Sequence, residues 1–274
     1  MGTKIRLTPQ VILPVFGAAC VLLAWALVST TVAPDLPCDV DSAGLPEYAD
    51  AGMHALPMAL LVREGGLAFE IDPIGGQKTG WFYDQRANRD LLAGYVKDKR
   101  VLDVFSYLGG WGLRAAAAGA TEVVCVDVSK PAVEAIARNA TRNGLADRVR
   151  AEKSDAFEYL KALREQRERF DVVVLDPPAF VKRKKDFVEG RLAYRRINEM
   201  AMQILARDGI LITCSCSYHM SRATLLEAVQ QGARHLDRQV QVLAQLQQAP
   251  DHPVHPAIAE TDYLKGFICR VLPA

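Results

Sequence analysis

From about Asp90 onward the chain alternates short apolar strands with helices, and no other feature limits its fold so tightly. Residues 101–105 read as a buried strand, followed by the turn Gly109-Gly110-Trp111-Gly112 and a helix over 113–118. A second strand spans 122–127. The helix after it, 131–143, has Pro131 in its first turn and Asn143-Gly144 at its end. Residues 149–154 form a weaker strand, 157–169 a polar helix, and 170–176 a strand dense in β-branched residues. Helices over 197–206 and 221–236 and strands over 209–215, 239–246 and 267–272 complete the pattern. The expectation is α/β and Rossmann-like: a mostly parallel seven-stranded sheet with helices on both faces. Ahead of it, residues 60–72 read as a small β-hairpin around Gly65-Gly66.

Ligands in such sheets sit at the carboxyl ends of the strands. Asp103, Asp127, Asp155, Asp176 and Cys216 all fall at or just past predicted strand ends, which sets polar groups along one sheet edge. The first turn runs Asp103-Val-Phe105-Ser106-Tyr107-Leu-Gly109-Gly110 and is not G-x-G-x-x-G, so its glycines alone are a weak signal. Asp127 ends the second strand where ribose hydroxyls would lie. Asp155 follows the third, where a carboxylate can accept from an adenine amine. Three acids around an adenosine, with no basic residue in the turn for a pyrophosphate, favour S-adenosylmethionine over NAD.

Asp176-Pro177-Pro178-Ala179-Phe180 ends an apolar strand, a pattern suited to holding a flat nitrogen-containing ring. The acid faces the ring nitrogens, the prolines fix the backbone, and Phe180 stacks on a base taken out of its own stack. This segment does not by itself choose the target atom, since methylation of an exocyclic amine uses a similar one. Cys216, about forty residues on, adds a nucleophile. A thiolate added to carbon 6 of a pyrimidine makes carbon 5 reactive, and Asp176 near ring nitrogen 3 stabilises the developing charge. Cys214 shares the strand parity of Cys216 and reads as a core residue.

The net charge of +1 is no nucleic-acid signature. Basic residues do cluster after the Asp-Pro-Pro segment: Lys182, Arg183, Lys184, Lys185, Arg191, Arg195 and Arg196. They read equally as a solvated face and as a phosphate-contacting patch, with Lys182, Lys184 and Arg191 the candidate contacts. The six cysteines lack a disulfide-framework spacing, which favours a reducing, cytoplasmic setting. No Cys/His set has zinc-ligand spacing, so no metal is expected. Residues 11–33 are uncharged and apolar enough to approach a bilayer span of about 20 residues. Signal, membrane anchor, non-native start and buried helix are all open readings of that segment, and membrane contact is expected only if it is an anchor. The expected organisation is 1–37 as this apolar segment, 38–89 as linker and hairpin, and 90–274 as the catalytic domain.

The motifs resemble a known family when read in order. Gln77-Lys-Thr-Gly-Trp-Phe-Tyr-Asp-Gln-Arg86, Val104-Phe-Ser-Tyr-Leu-Gly-Gly-Trp111, Val126-Asp-Val-Ser129, Asp176-Pro-Pro-Ala-Phe180, Ser215-Cys-Ser217 and Tyr263-Leu-Lys-Gly-Phe267 are similar to the bacterial class I methyltransferases that act on cytosine carbon 5 of large-subunit ribosomal RNA. The resemblance covers about residues 60–274. It implies the class I methyltransferase fold, S-adenosylmethionine as cofactor and ribosomal RNA as partner. It also implies that Thr79, Asp84, Gln85 and Arg86 lie over the cofactor, although packing of the hairpin would explain the same residues. Members of that family carry an N-terminal RNA-binding barrel of the PUA type, and the chain is expected to lack it. A homodimer is left open. The rival readings are a methyltransferase acting on a purine nitrogen, a cofactor-binding module without catalysis, and, more distantly, a nicotinamide dehydrogenase.

Overall fold

The computed structural model describes residues 59–274, so expectations about residues 11–33 and about most of the linker lie outside the described residues. Strands β1 (Leu60–Glu64) and β2 (Leu67–Ile71) form the antiparallel hairpin. Gly65 and Gly66 supply the positive φ values, 57° and 80°, that a two-residue hairpin turn needs. The main sheet has seven strands in the order β5-β4-β3-β6-β7-β9-β8. These are β3 (Arg100–Val104), β4 (Glu122–Asp127), β5 (Val149–Lys153), β6 (Phe170–Leu175), β7 (Leu205–Ser215), β8 (Arg238–Gln247) and β9 (Lys265–Pro273). Pairing is parallel from β5 through β7; β9 inserts antiparallel between β7 and β8.

The central strands are apolar at nearly every position because both of their faces are covered. Leu102, Val104, Val124, Val126, Val173 and Leu175 point into one core, with helices α4 (Ala156–Glu165), α5 (Phe187–Ile204) and α6 (Arg222–His235). Val101, Val123, Cys125, Val172 and Val174 alternate into the other, with α1 (Arg86–Leu92), α2 (Gly110–Ala117), α3 (Lys130–Arg142) and the hairpin. The hairpin is held to this face by polar contacts as well. Asn139 and Asn143 on and after α3 accept from Glu70 N and Ala68 N at 2.7 and 2.9 Å. Buried Glu64 receives Arg89 through two bonds of 2.6 and 2.7 Å and the Trp81 indole N–H at 2.9 Å.

Several expected boundaries move. The helix predicted over 197–206 begins at Phe187, and β7 begins at Leu205. Gly190 sits inside α5, where a Cβ would come 2.7 Å from the Phe180 carbonyl oxygen. The glycine therefore allows close approach of the helix to the Asp-Pro-Pro loop. The polar helix expected to reach residue 169 stops at Glu165, and Arg167 then takes a φ of 59°. Phe105, expected inside the first strand, lies beyond it with a φ of 66°. Among the described residues no helix is long and apolar enough to cross a membrane.

Candidate active site at the carboxyl edge

The chain leaves β3, builds β4 and β5 on one side, then crosses to β6 on the other, so the topological switch lies between β3 and β6. Crevices open at such a switch, and Asp103 and Asp176 stand at its two lips. The turn after β3 is backbone-strained. Phe105 and Tyr107 hold φ values of 66° and 51°, a region that bulky side chains rarely occupy, and Gly109 follows at 85°. Polar contacts enforce it: Ser106 Oγ donates to Asp103 O at 2.7 Å, and Tyr107 N donates to Asp127 Oδ2 at 2.9 Å. Asp127 Oδ1 meanwhile accepts from Ser129 N at 2.9 Å. Gly110 opens α2, and a Cβ there would come 3.1 Å from the Trp81 ring.

Asp103 is fully buried; its Oδ2 accepts from Gly112 N at 2.9 Å, while Oδ1 has no hydrogen-bond partner among the described residues. Burial, with Asp176 and Asp127 adding to it, pushes its carboxyl up to about 7. Asp155 is exposed and caps α4, accepting from Phe157 N and Glu158 N at 2.9 and 3.2 Å. This acidic edge, with a buried carboxyl oxygen to spare and no basic side chain in the turn, fits a cationic nucleoside such as S-adenosylmethionine and does not fit a pyrophosphate.

The second group of residues centres on Asp176. Its oxygens accept from Gln85 Nε2 and from the Trp111 indole N–H, each at 3.0 Å. Burial pushes its carboxyl above the usual range, and nearby Asp84 adds to the rise against the pull of the Trp111 bond. Cys216 lies just past β7 and is partly exposed. Burial and then Asp176 raise its thiol, while the Lys78 ammonium draws it down. Cys214 is fully buried, and burial pushes its thiol well up. Pro177 is buried and Pro178 exposed. The Phe180 ring, expected to stack on a base, is half-buried in an aromatic group, 4.8 Å from Tyr194 and 6.3 Å from both Phe105 and Phe157. Lys182 and Lys184 are exposed and Arg191 is half-buried on α5.

The segment 77–86 bridges the two groups. Tyr107 OH accepts from Gln77 N at 3.0 Å and donates to Gly80 O at 3.2 Å, tying this segment to the first turn. Thr79 is exposed. Asp84 is buried and ionised: burial alone would raise it, but the Lys78 charge and hydrogen bonds from Lys78 and Tyr263 hold it below the usual range. Gln85 reaches Asp176, and Arg86 pairs with Asp251 at 3.4 Å. The resemblance drew these residues toward the cofactor; the structure sets Asp84 and Gln85 beside Asp176. Trp111, Lys78, Tyr263 and Lys265 were missed as site residues. All four lie within the ordered motifs, but only the fold reveals their partners. Lys265 Nζ, in a buried residue, donates to Ser217 O at 2.8 Å, next to Cys216.

Known proteins share this sequence family and this fold. Residues 51–267 match the family described as S-adenosylmethionine-dependent methyltransferase. A Photobacterium profundum protein named "Ribosomal RNA large subunit methyltransferase I" is 42% identical over 216 residues, covering 78% of this chain and 54% of its own length. An Enterobacter protein of the same name is 43% identical over 220 residues, covering 79% and 55%. The chain thus spans about half the length of the curated relatives it matches. Among solved structures, a protein assigned as a methyltransferase and complexed with SAH superposes with a TM-score of 0.71 at 25% identity, covering 78% of this chain and 56% of that one. A Streptococcus mutans structure at 24% identity and a TM-score of 0.70, with the same coverage, shares the fold.

Proposed function

The chain belongs to the S-adenosylmethionine-dependent methyltransferases, and from that premise we propose that it forms 5-methylcytosine in large-subunit ribosomal RNA through a covalent adduct on Cys216. The observation that carries this reading is the pairing of a partly exposed thiol with a half-buried, side-chain-held Asp176 at one sheet edge. Methylation of an exocyclic amine needs an acid but no thiol. The names of the relatives supply the ribosomal substrate class.

Asp103, the 105–110 turn, Asp127 and Asp155 would hold the cofactor, with Thr79 and Arg86 on the overlying segment. When bound, the cofactor supplies an electrophilic methyl group. Asp103 Oδ1 would take an N–H donor, Asp127 the ribose hydroxyls and Asp155 the adenine amine. On the RNA side, the Cys216 thiolate adds to carbon 6 of the cytosine, and carbon 5 becomes nucleophilic. Asp176, with its raised affinity for a proton, shares one with ring nitrogen 3 as charge builds there. Loss of the carbon-5 proton to a base then expels the thiolate. Pro177, Pro178 and Phe180 form the wall beside the ring, and Lys182, Lys184 and Arg191 contact phosphates. Residues 90–274 would carry the catalytic groups, with 38–89 as the linker and hairpin ahead of them.

The test is trapping. A ribosomal RNA substrate carrying 5-fluorocytosine lacks the proton that must leave, so the adduct accumulates. The wild-type protein should form a denaturant-stable RNA complex, and Cys216→Ala should form none while still binding S-adenosylmethionine. Near-normal methylation by Cys216→Ala would replace this reading with an amine-directed one.

A further inference from the structure

Asp84 is the acid that neither the fold nor the chemistry above consumes. Its side chain is 3% exposed, in a short turn over Tyr83–Gln85. Oδ2 is saturated: Lys78 Nζ and Tyr263 OH both donate to it at 2.7 Å. Oδ1 is buried and has no hydrogen-bond partner among the described residues. A buried carboxylate oxygen left without a donor is costly and rare in folded proteins, and such atoms collect where a ligand completes them.

The position of Asp84 indicates which ligand. On one side its chain neighbour Gln85 donates directly to Asp176. On the other, Tyr263 is two residues from Lys265, whose ammonium holds the carbonyl of Ser217, next to Cys216. Asp84 is therefore bracketed by the two segments assigned to the pyrimidine, and its charge acts on both Asp176 and Cys216. With Lys78 and Tyr263 donating to it, the carboxylate stays ionised, so it accepts and cannot donate. On a cytosine whose nitrogen 3 faces Asp176, the neighbouring exocyclic amine is an N–H donor. On uracil the same position carries a carbonyl oxygen, which an anion repels.

We propose that Asp84 Oδ1 accepts from the exocyclic amine of the target cytosine and thereby selects cytosine over uracil, an inference that rests on the carbon-5 reading above. Lys78 and Tyr263 are positioning residues that fix the carboxylate and leave one oxygen free for the base.

Three ribosomal RNA substrates would be compared, alike except that the mapped target nucleotide is cytidine, uridine or the pyrimidin-2-one ribonucleoside, which is cytidine without its amine. Carbon-5 methylation is measured by mass spectrometry, and cofactor affinity by calorimetry checks that each variant is folded. The wild-type protein should lose roughly 10–100-fold in kcat/KM on the amine-less substrate, and more on uridine. Asp84→Asn should lose a similar roughly 10–100-fold factor on cytidine and little further when the amine is removed, since the two changes delete one interaction. Its amide can also donate to the uracil carbonyl, so its cytidine-to-uridine ratio should fall at least about tenfold. Tyr263→Phe, which loosens the carboxylate but leaves it an anion held by Lys78, should slow methylation of cytidine yet still prefer cytidine to uridine. Should Asp84→Asn not fold, the wild-type comparison of cytidine with its amine-less analogue decides, and equal rates on the two overturn the inference. Equal amine-removal factors in wild type and Asp84→Asn would likewise overturn it, and so would an Asp84→Asn defect confined to cofactor affinity. A wild-type product other than 5-methylcytosine overturns the carbon-5 reading and this inference with it. A 5-methylcytosine product with an unmoved ratio overturns this inference alone.

Discussion

The two ends of the carboxyl edge hold their acids by different means. At the β3–β5 end, Asp103, Asp127 and Asp155 are fixed by backbone N–H groups of the turns and helix starts that follow β3, β4 and β5. At the β6–β7 end, Asp176 and Asp84 are fixed by side chains from distant segments: Gln85 and Trp111 on the first, Lys78 and Tyr263 on the second. Local backbone clamps survive the loss of a single side chain elsewhere. A network assembled from the hairpin segment, α2 and the approach to β9 does not. The cofactor end is thus expected to tolerate substitution at a distance, and the base end to fail through residues that touch no substrate.

The sharpest separation comes from the cysteines. Cys216→Ala should abolish methyl transfer to ribosomal RNA, a fall of at least about 10³-fold, because the covalent step has no substitute. Cys214→Ala should keep activity within a few-fold and cost only modest stability, because that buried thiol has no reactive task. Counting labelled methyl groups transferred to RNA from cells lacking the gene distinguishes them. Comparable activity in both variants would remove the thiol from the chemistry.

Next in size are the side chains that hold Asp176. Trp111→Phe and Gln85→Leu each remove an N–H donor from a half-buried acid, so kcat/KM should drop roughly 10–100-fold. Calorimetric affinity for S-adenosylmethionine should stay near wild type. The sign of the pH effect is fixed as well. The Trp111 bond lowers the proton affinity of Asp176, so removing it raises a pKa that burial has already raised. If protonated Asp176 is the active form, activity is lost as pH rises through that pKa. The alkaline limb of the rate profile should therefore move to higher pH in Trp111→Phe. A limb that stays in place would mean that Asp176 works as the anion.

The same contrast explains what the sequence made legible. Strand alternation, the acids at strand ends and the Asp-Pro-Pro and Ser-Cys-Ser segments are local patterns, and the sheet forms where they predict it. The first turns of α5, from Phe187, escaped the sequence reading, and Gly190 within them packs against a neighbour, Phe180, that only the fold brings near. Trp111 read as part of a glycine turn, and nothing in its surroundings points to Asp176, 65 residues away. Tyr263 is farther still from Asp84, at 179 residues. Partners of that kind are set by sheet order, and no periodicity carries them.

At the cofactor end the expected effects are smaller. Asp127→Ala deletes an acceptor for the ribose and unclamps Tyr107 and Ser129, which should weaken S-adenosylmethionine binding about tenfold or somewhat more. Catalysis at saturating cofactor should change little. An unchanged affinity would leave Asp127 with its turn-holding role alone.

The smallest expected effect is on stability, and it tests whether the buried acid of this end is held for a ligand. Asp103 has its proton affinity raised by burial from 3.8 to about 7. Between those two values the folded protein binds a proton that the unfolded chain has released, so stability falls as pH climbs through this window and the penalty is complete above it. Asp103→Asn keeps a carbonyl oxygen for Gly112 N and cannot ionise. In the absence of cofactor it should melt higher than the wild type by a few degrees near pH 8, since about 1 kcal/mol moves the midpoint of a chain this size by roughly 2–4 °C. Its advantage should shrink steadily toward pH 4, where the folded Asp103 is protonated and the unfolded side chain is only partly ionised. Saturating S-adenosylmethionine should reverse the order, because only the native carboxylate offers Oδ1 to a cationic donor. Melting curves for the two proteins from pH 4 to pH 8, with and without cofactor, decide the point. Parallel curves would show that Asp103 does not titrate in this range, and an advantage that persists with cofactor bound would remove it from the binding site.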